Sequence, residues 1–228
     1  MLVAARQIVA MIEKLFSGMA IAAIAQMSLS VPVAQARPAR ADFREAPASE
    51  DVRRMADWVI ASGDDGGLPF IIVDKKEAEV FVFNAQGQIL GAAPALLGLA
   101  VGDDSAPGVG NKPLSAIPPE DRTTPAGRFV ASVGQAEPGK PNTLWVDRKD
   151  NVALHRVITG RPKDHRLQRL ATPTPLDNRI TFGCINVPVK FFEQTVLPAF
   201  EGTNGIVYIL PEVEATRDVF ANYYDVDG

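Results

Sequence analysis

Among the 228 residues there is one cysteine, Cys184, and there are two histidines, His155 and His165. A thiolate is a strong nucleophile, but a free thiol has a pKa near 8.5, so one at working pH needs a base beside it. Histidine is the side chain whose proton affinity suits that task. The residue before the cysteine is Gly183, and a glycine there lets the backbone turn sharply enough to aim the sulfur and nearby N–H groups into one cavity. The backbone N–H groups of Gly183 and Cys184 are the candidate donors for an oxyanion. The chemistry in view is covalent acyl transfer. Two histidines and one cysteine without ligand spacing make a poor metal site, and no metal or cofactor is expected.

The two histidines differ in what carries them. His155 ends the apolar run Val152-Ala153-Leu154 and so sits at the tip of a predicted strand, whereas His165 lies in the charged stretch Pro162-Lys163-Asp164-His165-Arg166. Rigid elements place reactive groups better than loops do, which favours His155 as the base and leaves His165 as the alternative.

The remaining elements are mostly strands. Ser49 is placed to cap a helix with Glu50 and Asp51 in its first turn, Val52, Met55, Ala56 and Val59 on one face, and Gly63 as its stop. From Phe70 the pattern changes to β-branched and aromatic runs, Phe70–Val73 and Val80–Phe83, followed by Gln88–Leu97, Gly127–Val133, Thr143–Asp147 and Asn151–His155. Residues 98–119 read as a surface loop. Residues 189–200 read as an amphipathic helix burying Phe191, Phe192, Val196, Leu197 and Phe200, and Ile206–Leu210 as a last strand. The expected fold class is mostly β with some α, with a helix packed after the cysteine segment.

The first 36 residues read differently from the rest. Arg6 and Lys14 precede an apolar stretch from Leu15 to about Val33, and Ala34-Gln35-Ala36 then offers a cleavage site. That is the layout of a secretory signal peptide; a retained membrane anchor is the alternative, disfavoured by Gly18, Gln26, Ser28, Ser30 and Pro32. The expected organisation is a signal peptide over 1–36, a linker and short helix over 37–66, a catalytic domain over 67–211 and a tail over 212–228. Localisation is expected to be periplasmic or otherwise extracytoplasmic. One cysteine cannot form an internal disulfide, so outside the cytoplasm Cys184 is either a small buried hydrophobe or a reactive thiol. The net charge of −4 gives no reason to expect a nucleic-acid partner.

Taken together, Thr181-Phe182-Gly183-Cys184-Ile185-Asn186 resembles the catalytic signature of YkuD-type L,D-transpeptidases: Ser or Thr, then His-Gly-Cys, a hydrophobic residue, and Asn or Arg. Thr124-Pro125-Ala126-Gly127-Arg128-Phe129 resembles that family's Thr-Pro-x-Gly-x-Phe segment, and the strands at Ile72–Asp74 and Val80–Phe83 fit the start of its domain. The three matches keep the family's order over about residues 70–210. The resemblance implies a β-sandwich or barrel and peptidoglycan stem peptides as substrate. It makes Cys184 the acyl-accepting nucleophile and His155 its base, oriented by the backbone carbonyl of Arg156. Thr181 would support the active-site turn, and Asn186 would have a structural or substrate-orienting role.

Three departures stand out. Phe182 replaces the motif's own histidine, Arg156 stands where the family has a small residue, and the gap from His155 to Cys184 is longer than usual. Residues 157–178 therefore read as a basic insert, either a lid over the site or a solvated loop. Arg179 and then Arg156 are the candidates to meet a substrate carboxylate, since arginine recognises carboxylates through paired hydrogen bonds. Three activities stay open: an L,D-transpeptidase, a hydrolase using the same thioester, and a silent wall-binding module.

Overall fold

The structure is a computed structural model that describes residues 39–226, which belong to one compact unit. The expected signal peptide over 1–36 lies outside the described residues.

Helix α1 (Glu50–Ser62) begins where the Ser49 hydroxyl accepts from the Val52 N–H at 3.3 Å, and stops at Gly63 in the left-handed conformation, with φ 69°. Its buried face carries Val52, Met55, Ala56, Trp58, Val59 and Ile60. The strands are β1 (Phe70–Asp74), β2 (Glu79–Phe83), β3 (Ile89–Pro94), β4 (Leu97–Gly98), β5 (Gly127–Gln135), β6 (Asn142–Asp147), β7 (Val152–Arg156), β8 (Arg179–Thr181), β9 (Ile185–Val187) and β10 (Asn204–Ile209). Eight of them form a mixed sheet in the order β3-β2-β1-β10-β5-β6-β7-β9, and β4 pairs with β8 in a two-stranded ribbon.

The two ends of the large sheet come together. Leu96, just beyond β3, exchanges backbone hydrogen bonds of 2.8 and 2.9 Å with Asn186 on β9. The sheet is thereby nearly closed, which meets the expectation of a mostly β, barrel-like fold with helices.

Both faces of the central strands are buried, and the alternation of side chains sorts them into two cores. Ile71, Val73, Val80, Val82, Leu144, Leu154, Ile185, Val187, Val207 and Ile209 pack with Phe192, Val196 and Phe200. On the other face Phe70, Ile72, Phe81, Phe83 and Tyr208 pack against α1. The helical stretch over 189–200 covers the first core. Its middle, Phe192–Val196, is widened into a π turn just before Pro198, which has no N–H to extend an α-helical ladder.

Two sequence expectations change here, and the tail, which the sequence left open, is placed. The stretch after residue 37 is not a bare linker. Phe43 is buried against Phe81 and Phe83, and Asp42 pairs with Gln88 as a short β-bridge. The stretch from 98 to 119 is more than a surface loop, because it folds into 3-10 turns and sends Asp103 inward onto Lys75, whose side chain is fully buried. The segment past 211 packs as well: Phe220 is buried, and the Trp58 indole N–H donates to the Asn222 carbonyl at 3.2 Å.

Candidate active site

β7 and β9 run parallel in adjacent positions, with Leu154 opposite Ile185, His155 opposite Asn186 and Arg156 opposite Val187. Leu154, Ile185 and Val187 enter the core, so the alternation turns His155 and Asn186 to the opposite face, where they meet. Cys184 is the residue before β9 and is half-buried. His155 and Cys184 both line a cleft of about 400 Å³ whose other walls include Arg161, Asp164, Arg166 and Phe182. They also line a second recess of about 700 Å³ that reaches Asn142, Trp145 and Asn151. His165 lines neither; it is exposed, with φ 50°, at the start of the short helix α2 (Arg166–Ala171).

The turn that carries the sulfur is braced from several sides. Gly183 has φ 124°, and a Cβ there would sit 2.8 Å from the Thr123 carbonyl oxygen, so only glycine fits. The Thr181 hydroxyl donates to the Cys184 carbonyl at 2.6 Å and accepts from the Gly183 N–H at 3.2 Å. The Gly183 donor is therefore committed to the turn, and of the two backbone donors expected for an oxyanion only that of Cys184 is carried forward. From below, the buried Thr124 hydroxyl donates to the Gly183 carbonyl at 2.8 Å and accepts from the Gly98 N–H at 2.8 Å. The sequence places Thr124 in a motif but gives no sign of this task. Phe182 lies under the Arg122 guanidinium, 4.1 Å from ring centre to carbon, which ties the turn to the preceding loop.

His155 is held at both ring nitrogens. Nδ1 lies 2.8 Å from the Arg156 carbonyl oxygen and Nε2 lies 3.2 Å from the Asn186 amide nitrogen. Burial pushes the imidazole pKa below its ordinary value, and the nearby positive charges of Arg166 and Arg156 push the same way, against the Arg156 carbonyl. Burial pushes the Cys184 thiol up, opposed by a smaller effect of the Ala153 backbone. Both directions favour the uncharged forms, thiol and neutral imidazole.

Neither arginine expected at a substrate carboxylate presents its guanidinium to the 400 Å³ cleft. Arg179 is paired with Glu212 and donates to the Lys75 carbonyl at 2.9 Å. Arg156 ion-pairs with Glu193 at 3.2 Å and lies over the Phe192 ring. Arg166 is there instead. It donates to the Asn186 amide oxygen at 2.9 Å and ion-pairs with Asp164 at 3.3 Å. It comes from the basic insert, which folds as turns and α2 and packs Val157 and Leu170 against Leu96 and Ile180.

Solved structures with some likeness to this chain include the helical cell shape determining protein Pgp2 from Campylobacter jejuni. It is 15% identical with a TM-score of 0.42, over 64% of this chain and 49% of that one. The catalytic domain of the E. faecium L,D-transpeptidase is 15% identical with a TM-score of 0.37, over 62% and 95%. LD transpeptidase LdtMt1 in complex with imipenem is 14% identical with a TM-score of 0.35, over 62% and 58%. The matched part thus spans about half the length of Pgp2. No family model matches the chain, and no curated protein does. At TM-scores this low these likenesses assign no activity, and the architecture rests on its own strand pairing.

Proposed function

We propose that this protein is a cysteine-dependent L,D-transpeptidase of peptidoglycan. The observation that carries the reading is that one thiol and one oriented imidazole line both of two adjoining recesses. In a transfer between two substrates the acceptor amine must reach the acyl carbon carried by that sulfur, and a second recess beside the first gives it a place to approach.

In the first half-reaction the Cys184 thiol gives its proton to His155 Nε2, and the sulfur attacks the carbonyl of an L-centre residue in a stem peptide. The C–N bond to the terminal D-amino acid breaks, the departing nitrogen takes the proton back from His155, and a thioester remains. An amine of a second stem peptide then attacks the thioester, and His155 carries the proton from that amine to the leaving sulfur. The Cys184 N–H is the oxyanion donor of this scheme. The reaction needs no metal or cofactor. The place of action is outside the cytoplasm; among the described residues no helix is long and apolar enough to cross a membrane.

Incubation with a carbapenem tests the nucleophile. The intact protein should gain the mass of one adduct, and Cys184→Ala should gain none. Absence of any adduct on the unmodified protein would favour the silent wall-binding module, for which a neutral resting pair is also suited. Disaccharide-tetrapeptides then separate transfer, which gives dimers, from hydrolysis by an L,D-carboxypeptidase or endopeptidase, which gives only trimmed monomers.

A further inference from the structure

We infer that Arg166 locks His155 through Asn186, and that a carboxylate bound in the cleft at Arg166 releases the lock. The inference rests on the reading of His155 as the base.

The hydrogen bonds leave one arrangement of protons. A guanidinium has donors only, so the Asn186 oxygen must face Arg166, at 2.9 Å. The Asn186 NH₂ therefore faces His155 Nε2, at 3.2 Å, and Nε2 must be the lone-pair nitrogen. Independently, Nδ1 at 2.8 Å from the Arg156 carbonyl must carry the hydrogen. Both ends define the neutral Nδ1–H imidazole. Protonating Nε2 would set an N–H against the amide NH₂. Turning the amide over would relieve that clash only by setting NH₂ against Arg166.

So the lone pair that must accept the thiol proton is capped by Asn186 for as long as Arg166 holds the amide oxygen. The charged groups around the ring are Arg156, whose guanidinium is turned to Glu193, and Arg166, with Asp164 beside it. Arg166 lines the cleft together with Arg161 and Asp164, and its hydrogen bond to a neutral amide is weaker than one to a carboxylate. A substrate carboxylate entering there would draw Arg166 off Asn186. The amide could then rotate, present its oxygen to Nε2 and accept a hydrogen bond from the imidazolium. The base would be switched on by the substrate's own charge.

The test is NMR titration of the imidazoles in ¹⁵N-histidine-labelled protein, which has two to resolve; a His165→Gln background leaves one. In that background His155 should show the Nδ1–H tautomer and titrate below the ordinary histidine range. Arg166→Gln should raise its pKa by about one unit, and Asn186→Asp, which puts an acceptor at Nε2, by more. N-acetyl-D-alanine should raise the pKa with Arg166 present and not in Arg166→Gln, and N-acetyl-D-alaninamide should have no effect. The lock is overturned if Arg166→Gln and Asn186→Asp leave the titration in place, and the release step if acid and amide act alike or if neither acts. No turnover is read, so a silent Cys184 would not alter these titrations and would be exposed by the carbapenem experiment instead.

Discussion

At the scale of single residues the site holds a thiol pushed up and an imidazole pushed down, which gives a pH dependence with a definite sign. Alkylation of Cys184 by iodoacetamide should keep accelerating through and above the ordinary thiol range, because the thiolate forms only there. An inflection well below that range would mean a preformed ion pair. The roles of the two histidines separate in the same way. His155→Ala should lower turnover on stem peptides by about 10²-fold or more, the size of a lost general base. His165→Ala, at an exposed position outside both recesses, should leave it nearly unchanged. If His165→Ala were the dead variant, the assignment of the base would be wrong.

At the scale of elements, the turn from Thr181 to Cys184 depends on contacts that nothing near it in sequence supplies. Gly183→Ala forces a Cβ toward the Thr123 carbonyl at a φ that disfavours side chains, and should cost about 1–3 kcal/mol. Thr124→Val removes the hydroxyl shared by Gly183 and Gly98, and should cost about as much for the stranded polar groups. Urea melts of each variant measure both. What was legible in the sequence follows the range of the interactions. The α1 cap at Ser49, its stop at Gly63 and the β-branched and aromatic runs of β1 and β2 are local, and capping residues and composition predict them. The placement of His155 at a strand tip is local too. Arg166 was visible only as one charge among several in the insert, because its contact with Asn186 exists only after the insert has folded back over β9. The loss of Arg179 to Glu212 was invisible for the same reason: its partner lies 33 residues further along the chain.

At the scale of the whole molecule, a buried charge cluster joins parts of the chain that are distant in sequence. The Lys75 ammonium donates to Asp103 at 2.6 Å and to the carbonyls of Gly102 and Thr124 at 2.6 and 3.1 Å. Asp103 also accepts from the backbone N–H groups of Glu212, Val213 and Glu214. Against the upward push of its own burial, these donors hold the Asp103 carboxyl at about 2. Its folded pKa lies below its unfolded one, so its contribution to stability is full above about pH 4 and fades as pH falls toward 2. Thermal melts of the unmodified protein and Asp103→Asn should therefore differ most near neutrality and converge in that acid window. Lys75→Met, which strands a buried carboxylate, should cost about 3–5 kcal/mol at neutral pH.

The pairing of β7 with β9 has a consequence of another kind. Imidazole and sulfur line the same recesses because two strands lie side by side, and the 28 residues that run between them return to the site through Arg166. Parts of that stretch away from Arg166 and from the packed Val157 and Leu170 can be lengthened or exchanged without moving the two strands. Selectivity can then drift while the chemistry stays where it is.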